Sequence, residues 1–260
     1  MGVCKRCDGR SPPNAERPVV GCVSMRQGRS PDQLRPIVLQ TGVNRWAEGS
    51  AQVAWGDTEV RATVTLDDRL PPHLRGSGTR SGWLTAEYAL LPRSTEKRRA
   101  RERLYAGGRT QEIQRLIGRA LRAATDLTAF PKQTLIIDVD VLQADGGTRC
   151  AGILAGWAAL HDLADRAVRD GRLSEWPLTH DVAAVSVGLV DGEVYTDLDY
   201  REDDAAGLDL NIVATDDGRL VEVQGGAEHE PVDAERYVAL IGRGVVAVGE
   251  VLRTAKAALA

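Results

Sequence analysis

Apolar and polar residues alternate along the first patterned part of the chain, which begins near Leu34. This period of two predicts β-strands with one buried face. Residues 51–55 and 59–65 keep the alternation and flank Gly56-Asp57-Thr58, so they predict a β-hairpin with a tight turn. The Gly- and Pro-rich residues 71–82 then predict a long loop that is either mobile or functional.

Two helical patterns and one strand pattern follow. Between residues 110 and 125 the apolar positions recur at intervals of three and four, which predicts an amphipathic helix. Residues 134–142 form an apolar run that predicts a buried strand. A turn at residues 144–148 separates this strand from a second long helix, predicted from about residue 150 to 169.

The second half of the chain repeats this style. Two further hairpins are predicted, the first from residues 182–189 and 193–198 and the second from residues 208–215 and 220–223. A C-terminal helix is predicted from about residue 233 to 257. Two rounds of antiparallel strands with helices packed on one face predict an α+β layered fold.

The composition fits a folded protein with an N-terminal extension. The 260 residues are 43% hydrophobic, enough for one large domain or two fused halves. Residues 1–24 are rich in Gly, Pro, Ser and Arg and predict a disordered extension, with Met25 as an alternative start and residues 25–260 as the folded part. The sequence has neither an apolar run of transmembrane length nor a secretory apolar region at its start. We therefore expect a cytoplasmic protein with no membrane partner.

The cysteines do not predict a metal centre. Cys4 and Cys7 form a single CxxC, and a structural zinc site needs a second pair of ligands that nothing nearby supplies. Incidental thiols in the extension are the better interpretation. Cys150 follows an apolar strand and is expected to be an inert core residue.

The net charge of −4 argues weakly against nucleic-acid binding, but the charge is unevenly distributed. Residues 93–122 hold ten Lys or Arg against three Asp or Glu, and residues 191–209 reverse the balance. We call residues 93–103, which carry six cations, the basic strip. A solvated charged face is the plain interpretation of such a strip. A possible anion site directly after it favours a polyanionic substrate.

Two glycine-containing turns each precede a predicted helix and carry an Arg and a Thr. The first glycine turn is Gly107–Thr110 and the second is Asp145–Arg149. Glycine lets a backbone approach a ligand closely, a helix N-terminus presents N–H groups to anions, and an arginine fork suits phosphate oxygens. The second turn lacks the spacing and the lysine of a P-loop. Each turn alone is typical of helix capping, but together they suggest two arms that close on one anion.

The acidic segment Tyr200–Asn211 is a candidate metal site. Asp203 and Asp209 are separated by a predicted short loop that leads into the next strand, so both are able to face one ion. Carboxylates are the hard oxygen ligands that Mg²⁺ prefers. A solvated acidic hairpin loop is the alternative interpretation, and Asp197 and Asp199 are further candidate ligands.

Seven segments of the chain together resemble bacterial members of the ribonuclease PH family, and the likeness runs from about residue 25 to the C-terminus. The segments are Leu34–Ile37, Ala47–Ser50, Gly56–Thr58, Gly82–Tyr88, Leu91–Thr95, Gly108–Arg122 and Gln143–Arg149. The resemblance implies a two-layer ribosomal S5 domain 2-like fold with mixed and antiparallel sheets. It also implies a ring-shaped homo-hexamer built as a trimer of dimers.

The activity that the resemblance implies is that of a tRNA nucleotidyltransferase. Such an enzyme is a phosphorolytic 3′–5′ exoribonuclease that shortens tRNA precursors, and other RNA 3′ ends such as those of rRNA. Inorganic phosphate is the co-substrate and a nucleoside diphosphate is the product. The residues that correspond to the family's phosphate-binding set are Arg109, Gly147, Thr148 and Arg149. The catalytic, Mg²⁺-linked residues correspond to Asp203 and Asp209, and the RNA-guiding residues to Arg93, Arg98 and Arg101.

The sequence departs from the family pattern in three places. Gln27-Gly28-Arg29 stands where the family has Asp-Gly-Arg, the loop at Ser77–Gly82 is longer, and the segment Glu102–Gly108 is shorter. Two other classes of function remain open: a non-catalytic ring subunit that only binds RNA, and a hydrolytic ribonuclease. The retained arginine loops and aspartates count against the first, and a hydrolytic enzyme would need no phosphate pocket.

Overall fold

The computed structural model describes residues 26, 28–102, 106–228 and 230–259. The predicted N-terminal extension, including Cys4 and Cys7, therefore lies outside the described residues, and the domain boundary near residue 25 stays a prediction. None of the helices in the described ranges has the length and apolarity needed to cross a membrane.

The first sheet has five strands. They are β1 (Ile37–Thr41), β2 (Gly49–Trp55), β3 (Thr58–Asp67), β4 (Trp83–Leu90) and β5 (Thr134–Gln143). Their order is β1-β2-β3-β5-β4, and β4 and β5 pair in parallel whereas the other neighbours are antiparallel. The predicted hairpin of β2 and β3 is confirmed. Residues of β3 alternate between buried and more exposed positions, so this sheet is packed mainly on one face.

The described residues form helices α1 (Gly108–Ala123), α2 (Thr148–Arg169), α3 (Tyr200–Ala205) and α4 (Ala234–Leu259). The second sheet consists of β6 (Val182–Val190), β7 (Glu193–Thr196), β8 (Leu208–Thr215) and β9 (Leu220–Ala227). Its order is β7-β6-β8-β9 and all its pairs are antiparallel, which confirms both predicted hairpins. The predicted long helices correspond to α1, α2 and α4.

Helices cover both faces of the second sheet. Ile212 of β8 faces α4, where a Cβ added to Gly244 would lie only 2.8 Å from the Ile212 side chain. The neighbouring Asn211 points to the opposite face, where its side-chain oxygen accepts a hydrogen bond from the Cys150 thiol of α2. Consecutive residues of a strand point to opposite faces, so α2 and α4 enclose this sheet between them.

Helix α2 lies at the centre of the molecule. Every residue from 150 to 160 is buried, as expected of a helix that is enclosed on all sides. It packs against β2 and β3 of the first sheet and against β6 of the second. A Cβ added to Gly49 of β2 would lie 2.2 Å from the carbonyl oxygen of Ala159, so strand and helix touch through their backbones. This packing fixes the N-terminus of α2, and with it the second glycine turn, between the two sheets.

The predicted α+β class is confirmed, but helices cover both faces of the second sheet rather than one, and one element was predicted wrongly. The residues before β8 form the short helix α3 rather than a loop. Asp199 accepts hydrogen bonds from the N–H groups of Arg201 and Glu202, and the Glu202 carboxylate accepts one from the N–H of Asp199 (3.0 Å). This capping box stabilises a single helical turn that a pattern of apolar residues does not reveal.

Candidate active site

The second glycine turn depends on two consecutive residues in the left-handed conformation, Gly146 (φ 71°) and Gly147 (φ 64°). A Cβ on Gly146 would lie 2.5 Å from the backbone of Asp199, so glycine is required there for space as well as for conformation. The turn leads directly into α2, whose N-terminus has no side-chain cap. The first N–H groups of this long helix are therefore suited to an anion in front of them.

Two side chains, one at the start of β3 and one just before β1, hold this turn in place. The hydroxyl of Thr58, at the start of β3, donates to the carbonyl oxygen of Gly146 (2.7 Å) and accepts from the N–H of Asp145 (2.9 Å). Arg35, just before β1, donates to the carbonyl oxygen of Asp145 (2.5 Å). Because its carbonyl groups are bonded to the protein, the turn is organised before any ligand binds.

The first glycine turn is built differently. Gly108 has open space where a Cβ would stand, so the position does not require glycine. The carboxylate of Glu102 accepts hydrogen bonds from the N–H of Gly107 (3.0 Å) and from the hydroxyl of Thr110 (3.1 Å). These bonds involve the residue before α1 and a side chain of its first turn, and α1, like α2, has no side-chain cap. What the turn offers to a ligand is the exposed side chain of Arg109.

Both glycine turns border one cleft of about 110 Å³, which we call the central cleft. Arg109 reaches it from the first turn, and Gly147, Thr148 and Arg149 reach it from the second. Asp203 of α3 lines it as well. The other lining residues are Tyr88, Leu90, Thr95, Arg99, Ala144, Gly146, Ser186, Tyr200 and Asn211. The fold therefore brings the four residues predicted to bind phosphate together with one of the two predicted catalytic aspartates.

The second aspartate, Asp209 on β8, is coupled to this group although it does not line the cleft. Loss of surrounding water raises the pKa of both Asp203 and Asp209, and the charge of Asp203 raises the pKa of Asp209 further. The guanidinium of Arg149 acts in the opposite direction on both carboxyl groups. The two carboxyl groups and Arg149 thus lie within electrostatic reach of one another.

The further candidate ligands Asp197 and Asp199 have structural roles instead. Asp197 is buried and accepts hydrogen bonds from the guanidinium of Arg35 (2.7 Å) and from the indole N–H of Trp55 (3.0 Å). Asp199 is the N-cap of α3. Both carboxylates accept hydrogen bonds from protein donors, which favours Asp203 and Asp209 over them as metal ligands.

A buried ion-pair cluster holds α3 against the rest of the protein. Arg26 donates to the carboxylate of Glu202 at 2.6 Å, and Arg29 contacts both Glu202 (3.2 Å) and Asp197 (3.4 Å). Burial alone would raise the pKa of Glu202, but the hydrogen bond from Arg26 and the nearby positive charges lower it overall. Because Asp203 follows Glu202 directly, this cluster also fixes the position of a cleft residue.

The basic strip reaches the central cleft with only some of its residues. Arg101 lines a second cleft, which shares part of its wall with the first, and Arg99 lines both. Arg93 and Arg98 are exposed and line neither. Sequence reasoning missed Arg99 because a run of cations does not reveal which side chain points inward.

Three other polar residues of the cleft wall, Tyr88, Ser186 and Asn211, were also missed. Ser186 and Asn211 are direct partners in the pairing of β6 with β8, and only that register brings them to one place. Beside them, burial raises the pKa of the Cys150 thiol to about 12, so this cysteine is the inert core residue that was predicted. Tyr88 stood inside a recognised motif, but its neighbours along the chain gave no indication of its role.

Comparison with protein families gives matches over most of the chain. Residues 33–164 match domain 1 of the 3′ exoribonuclease family, and residues 180–241 match domain 2 of the same family. The chain belongs to the 3′ exoribonuclease family. Among relatives within this family, ribonuclease PH of Deinococcus radiodurans is 56% identical over 229 residues, which cover 88% of this chain and 92% of that protein.

Solved structures of lower sequence similarity share the fold of this 3′ exoribonuclease. Rice (Oryza sativa) Rrp46 has a TM-score of 0.72 at 24% identity and covers 90% of this chain and 99% of its own. The Archaeoglobus fulgidus exosome with RNA bound to the active site has a TM-score of 0.74 at 23% identity, with coverages of 87% and 90%. The predicted fold family is confirmed by these neighbours.

The predicted activity is confirmed at the level of the family. With ribonuclease PH as a relative over nearly the whole chain and both family domains present, this 3′ exoribonuclease is a phosphorolytic 3′–5′ enzyme of the ribonuclease PH type. It is thus a nucleotidyltransferase that acts in tRNA processing.

Proposed function

We propose that the central cleft holds inorganic phosphate as the attacking co-substrate at RNA 3′ ends. Arg109 binds it from the first glycine turn, and Gly147, Thr148 and Arg149 bind it from the second. The convergence of these four residues and Asp203 on one cleft carries the proposal. A helix N-terminus together with two arginine forks suits an anion that has several oxygens to satisfy.

In this reaction an oxygen of the bound phosphate attacks the phosphorus of the last phosphodiester bond. The bond between that phosphorus and the 3′ oxygen of the preceding nucleotide breaks, and that oxygen takes up a proton. The last nucleotide leaves as a nucleoside diphosphate. Arg109 and Arg149 hold the attacking phosphate in line and stabilise the negative charge on the transferred group, so no side-chain nucleophile is needed.

Asp203 and Asp209 would hold a Mg²⁺ ion, and their environment fits one. Burial and the nearness of Asp203 raise the pKa of Asp209, and a bound cation would relieve this unfavourable pairing of charges. Mg²⁺ in phosphate-transferring sites is commonly held by one or two carboxylates together with substrate phosphates, so two are sufficient. When bound, the ion would neutralise charge on the transferred phosphoryl group.

The RNA strand is proposed to run along the basic strip, with Arg93, Arg98 and Arg101 contacting its backbone and Arg99 added from the cleft wall. Contacts of this kind supply affinity but little sequence preference. The relative from Archaeoglobus fulgidus carries RNA at its active site. We propose tRNA precursors with extra 3′ nucleotides as the main substrate and rRNA 3′ ends as a second one.

A homo-hexameric ring, organised as a trimer of dimers, is the proposed assembly. Two of the fold relatives are exosome particles, which supports an assembly of several such folds. Light scattering on the full chain should give about six times its mass of 28.0 kDa. A monomer at micromolar concentration would contradict the ring.

The proposed catalytic domain comprises residues 25–260, and residues 1–24 are proposed to be an extension outside it. The proposed compartment is the cytoplasm, where tRNA precursors occur.

One assay tests the proposed reaction. A tRNA with extra 3′ nucleotides is incubated with the enzyme and Mg²⁺, with and without phosphate, and the released nucleotides are identified. Diphosphates that form only with phosphate support the proposal. Monophosphates under both conditions indicate hydrolysis, and the absence of product indicates an RNA-binding subunit.

Arg149→Ala should raise the KM for phosphate. The matched variant Arg169→Ala, at the other end of α2 and exposed, should leave this KM unchanged.

A further inference from the structure

Tyr88 is a buried residue of β4 whose hydroxyl group lies at the wall of the central cleft. Only 3% of the residue is exposed, and its ring packs in the main core. The hydroxyl donates a hydrogen bond of 2.9 Å to the hydroxyl oxygen of Thr148, the first residue of α2. A purely apolar ring such as Phe would fill the same space, so the hydroxyl group itself needs an explanation.

The hydrogen bond from Tyr88 determines what Thr148 is able to do. A threonine hydroxyl has one proton to donate and lone pairs that accept. Because its oxygen accepts from Tyr88, its own proton is left for another acceptor. Within the part of the chain that the structure describes, the hydrogen bond with Tyr88 is the one found for this side chain. Thr148 lines the cleft, so a bound anion is the natural acceptor for that proton.

The surroundings keep Tyr88 in its donating form. Burial raises the pKa of the Tyr88 hydroxyl, and the positive charges of Arg109 and Arg149 act in the opposite direction without offsetting it. The hydroxyl is therefore protonated at neutral pH. Tyr88 also lines the central cleft together with both arginines.

We infer that Tyr88 is a positioning residue for phosphate, which fixes the hydroxyl of Thr148 so that its proton points to the anion. The inference rests on the proposed function, because it takes Thr148 as a phosphate ligand. Tyr88 itself acts through Thr148 and does not contact the phosphate. Polarisation of the Thr148 hydroxyl by the incoming hydrogen bond strengthens its own donation.

A double-mutant cycle tests whether Tyr88 acts on phosphate through Thr148, an arrangement that we call the relay. The four enzymes are the wild type, Tyr88→Phe, Thr148→Val and the double variant, all in the full chain. The readouts are KM for phosphate, kcat at saturating phosphate, and Kd for a 3′-extended tRNA measured without phosphate. Loss of a neutral hydrogen bond predicts that Tyr88→Phe raises KM about 3- to 10-fold. Loss of a donor to an anion predicts about 10-fold or more for Thr148→Val.

The double variant should match Thr148→Val, because Tyr88 has nothing to act on once that hydroxyl is gone. The Kd for RNA should stay unchanged throughout. Thr148→Ser keeps the hydroxyl, so in that background Tyr88→Phe should again raise KM. Tyr195→Phe is the matched control: it also removes a buried tyrosine hydroxyl, one that bonds Glu193 on β7 and does not line the cleft.

The outcomes separate the relay from the proposed function. Fully additive effects of Tyr88→Phe and Thr148→Val would mean that Tyr88 contacts the phosphate directly, which overturns the relay. A raised KM in Thr148→Val with no change in Tyr88→Phe also overturns it, and leaves the phosphate site intact. An unchanged KM in Thr148→Val, with thermal unfolding like the wild type, would instead reject Thr148 as a phosphate ligand and with it the proposed site.

Discussion

The two glycine turns have similar sequences, but they differ in backbone conformation and in the bonds that hold them. The second turn uses left-handed glycines and is bonded by Thr58 and Arg35. In the first turn the Glu102 carboxylate accepts a hydrogen bond from the N–H of Gly107, and there is room for a side chain at Gly108. Neither α1 nor α2 has a side-chain cap at its N-terminus. The second turn thus presents backbone groups in a conformation that the fold fixes, and the first turn presents the side chain of Arg109. A Gly-Gly pair before a helix does not by itself distinguish these two designs.

The carboxyl groups of Asp203 and Asp209 both interact electrostatically with Arg149 of the second turn. Removing the charge of one of them should have the largest effect of the substitutions considered. Asp209→Asn should lower turnover by about 10²- to 10³-fold, as expected when an electrostatic group of an active site is removed. Turnover at saturating phosphate and Mg²⁺ measures this. Near-normal turnover would rule out a catalytic role for Asp209.

The same substitution should stabilise the fold at neutral pH. Burial and the charge of Asp203 raise the pKa of Asp209 in the folded protein, so its ionised form opposes folding. At pH 7 the neutral Asn should therefore raise Tm. The gain should shrink as the pH falls below the raised pKa and vanish below the ordinary aspartate value of about 3.9, where the wild-type carboxyl is protonated in both states. A Tm difference that does not change with pH would contradict this account.

A pair of glycine substitutions compares the two turns directly. Gly146→Ala should cost about 2 kcal/mol or more in the free energy of unfolding, because alanine resists the left-handed conformation and its Cβ would contact the backbone of Asp199. Gly108→Ala, inside the first turn of α1, should leave stability unchanged or raise it by up to about 1 kcal/mol. Urea unfolding measures both. Equal losses would show that the turns do not differ in this way.

The basic strip leads into the first turn, whereas the second turn follows the apolar strand β5. Arg98→Ala should weaken RNA binding and reduce the slope of log K against log salt by about one, as for the loss of one phosphate contact. Binding of a 3′-extended tRNA between 50 and 200 mM salt, roughly the range over which such slopes are measured, provides the test. Unchanged binding at every salt concentration would remove Arg98 from the RNA path. Arg169→Ala, far along α2, is the control.

The smallest effect is expected at Glu102, whose carboxylate bonds to the first turn. Glu102→Gln replaces one accepting oxygen with an NH2 group, which cannot accept, and removes a negative charge near the N-terminus of α1. The free energy of unfolding should therefore fall by about 0.5–1 kcal/mol. KM for phosphate should change little, since the proposed phosphate contact of this turn is Arg109. A large fall in KM would mean that Glu102 competes with phosphate for the helix N-terminus, and the contrast between the turns would then have to be abandoned.

Sequence patterns predicted the long elements because their apolar periods are set locally. They singled out the residues now proposed to bind phosphate because these lie in two contiguous motifs, which the fold brings to one cleft. They kept Asp197 as a further candidate ligand, because its structural role depends on Arg35, 162 residues before it in the chain. They missed Tyr88 and Asn211 for a related reason: a strand places a side chain in a cleft only through its pairing register and the helix packed against it.

The position of Arg35 has a consequence for how the chain is made. Its guanidinium bonds to the turn at Asp145, in the first family segment, and to Asp197, in the second. Breaking a buried pair costs about 3–5 kcal/mol, so neither segment opens without exposing an uncompensated charge in the other. We therefore expect the two segments to unfold as one cooperative unit, whose most protected amides exchange only on global unfolding. During synthesis the first segment leaves the ribosome with one side of α2 uncovered, and it must wait for β6 and β8 before its interior is closed.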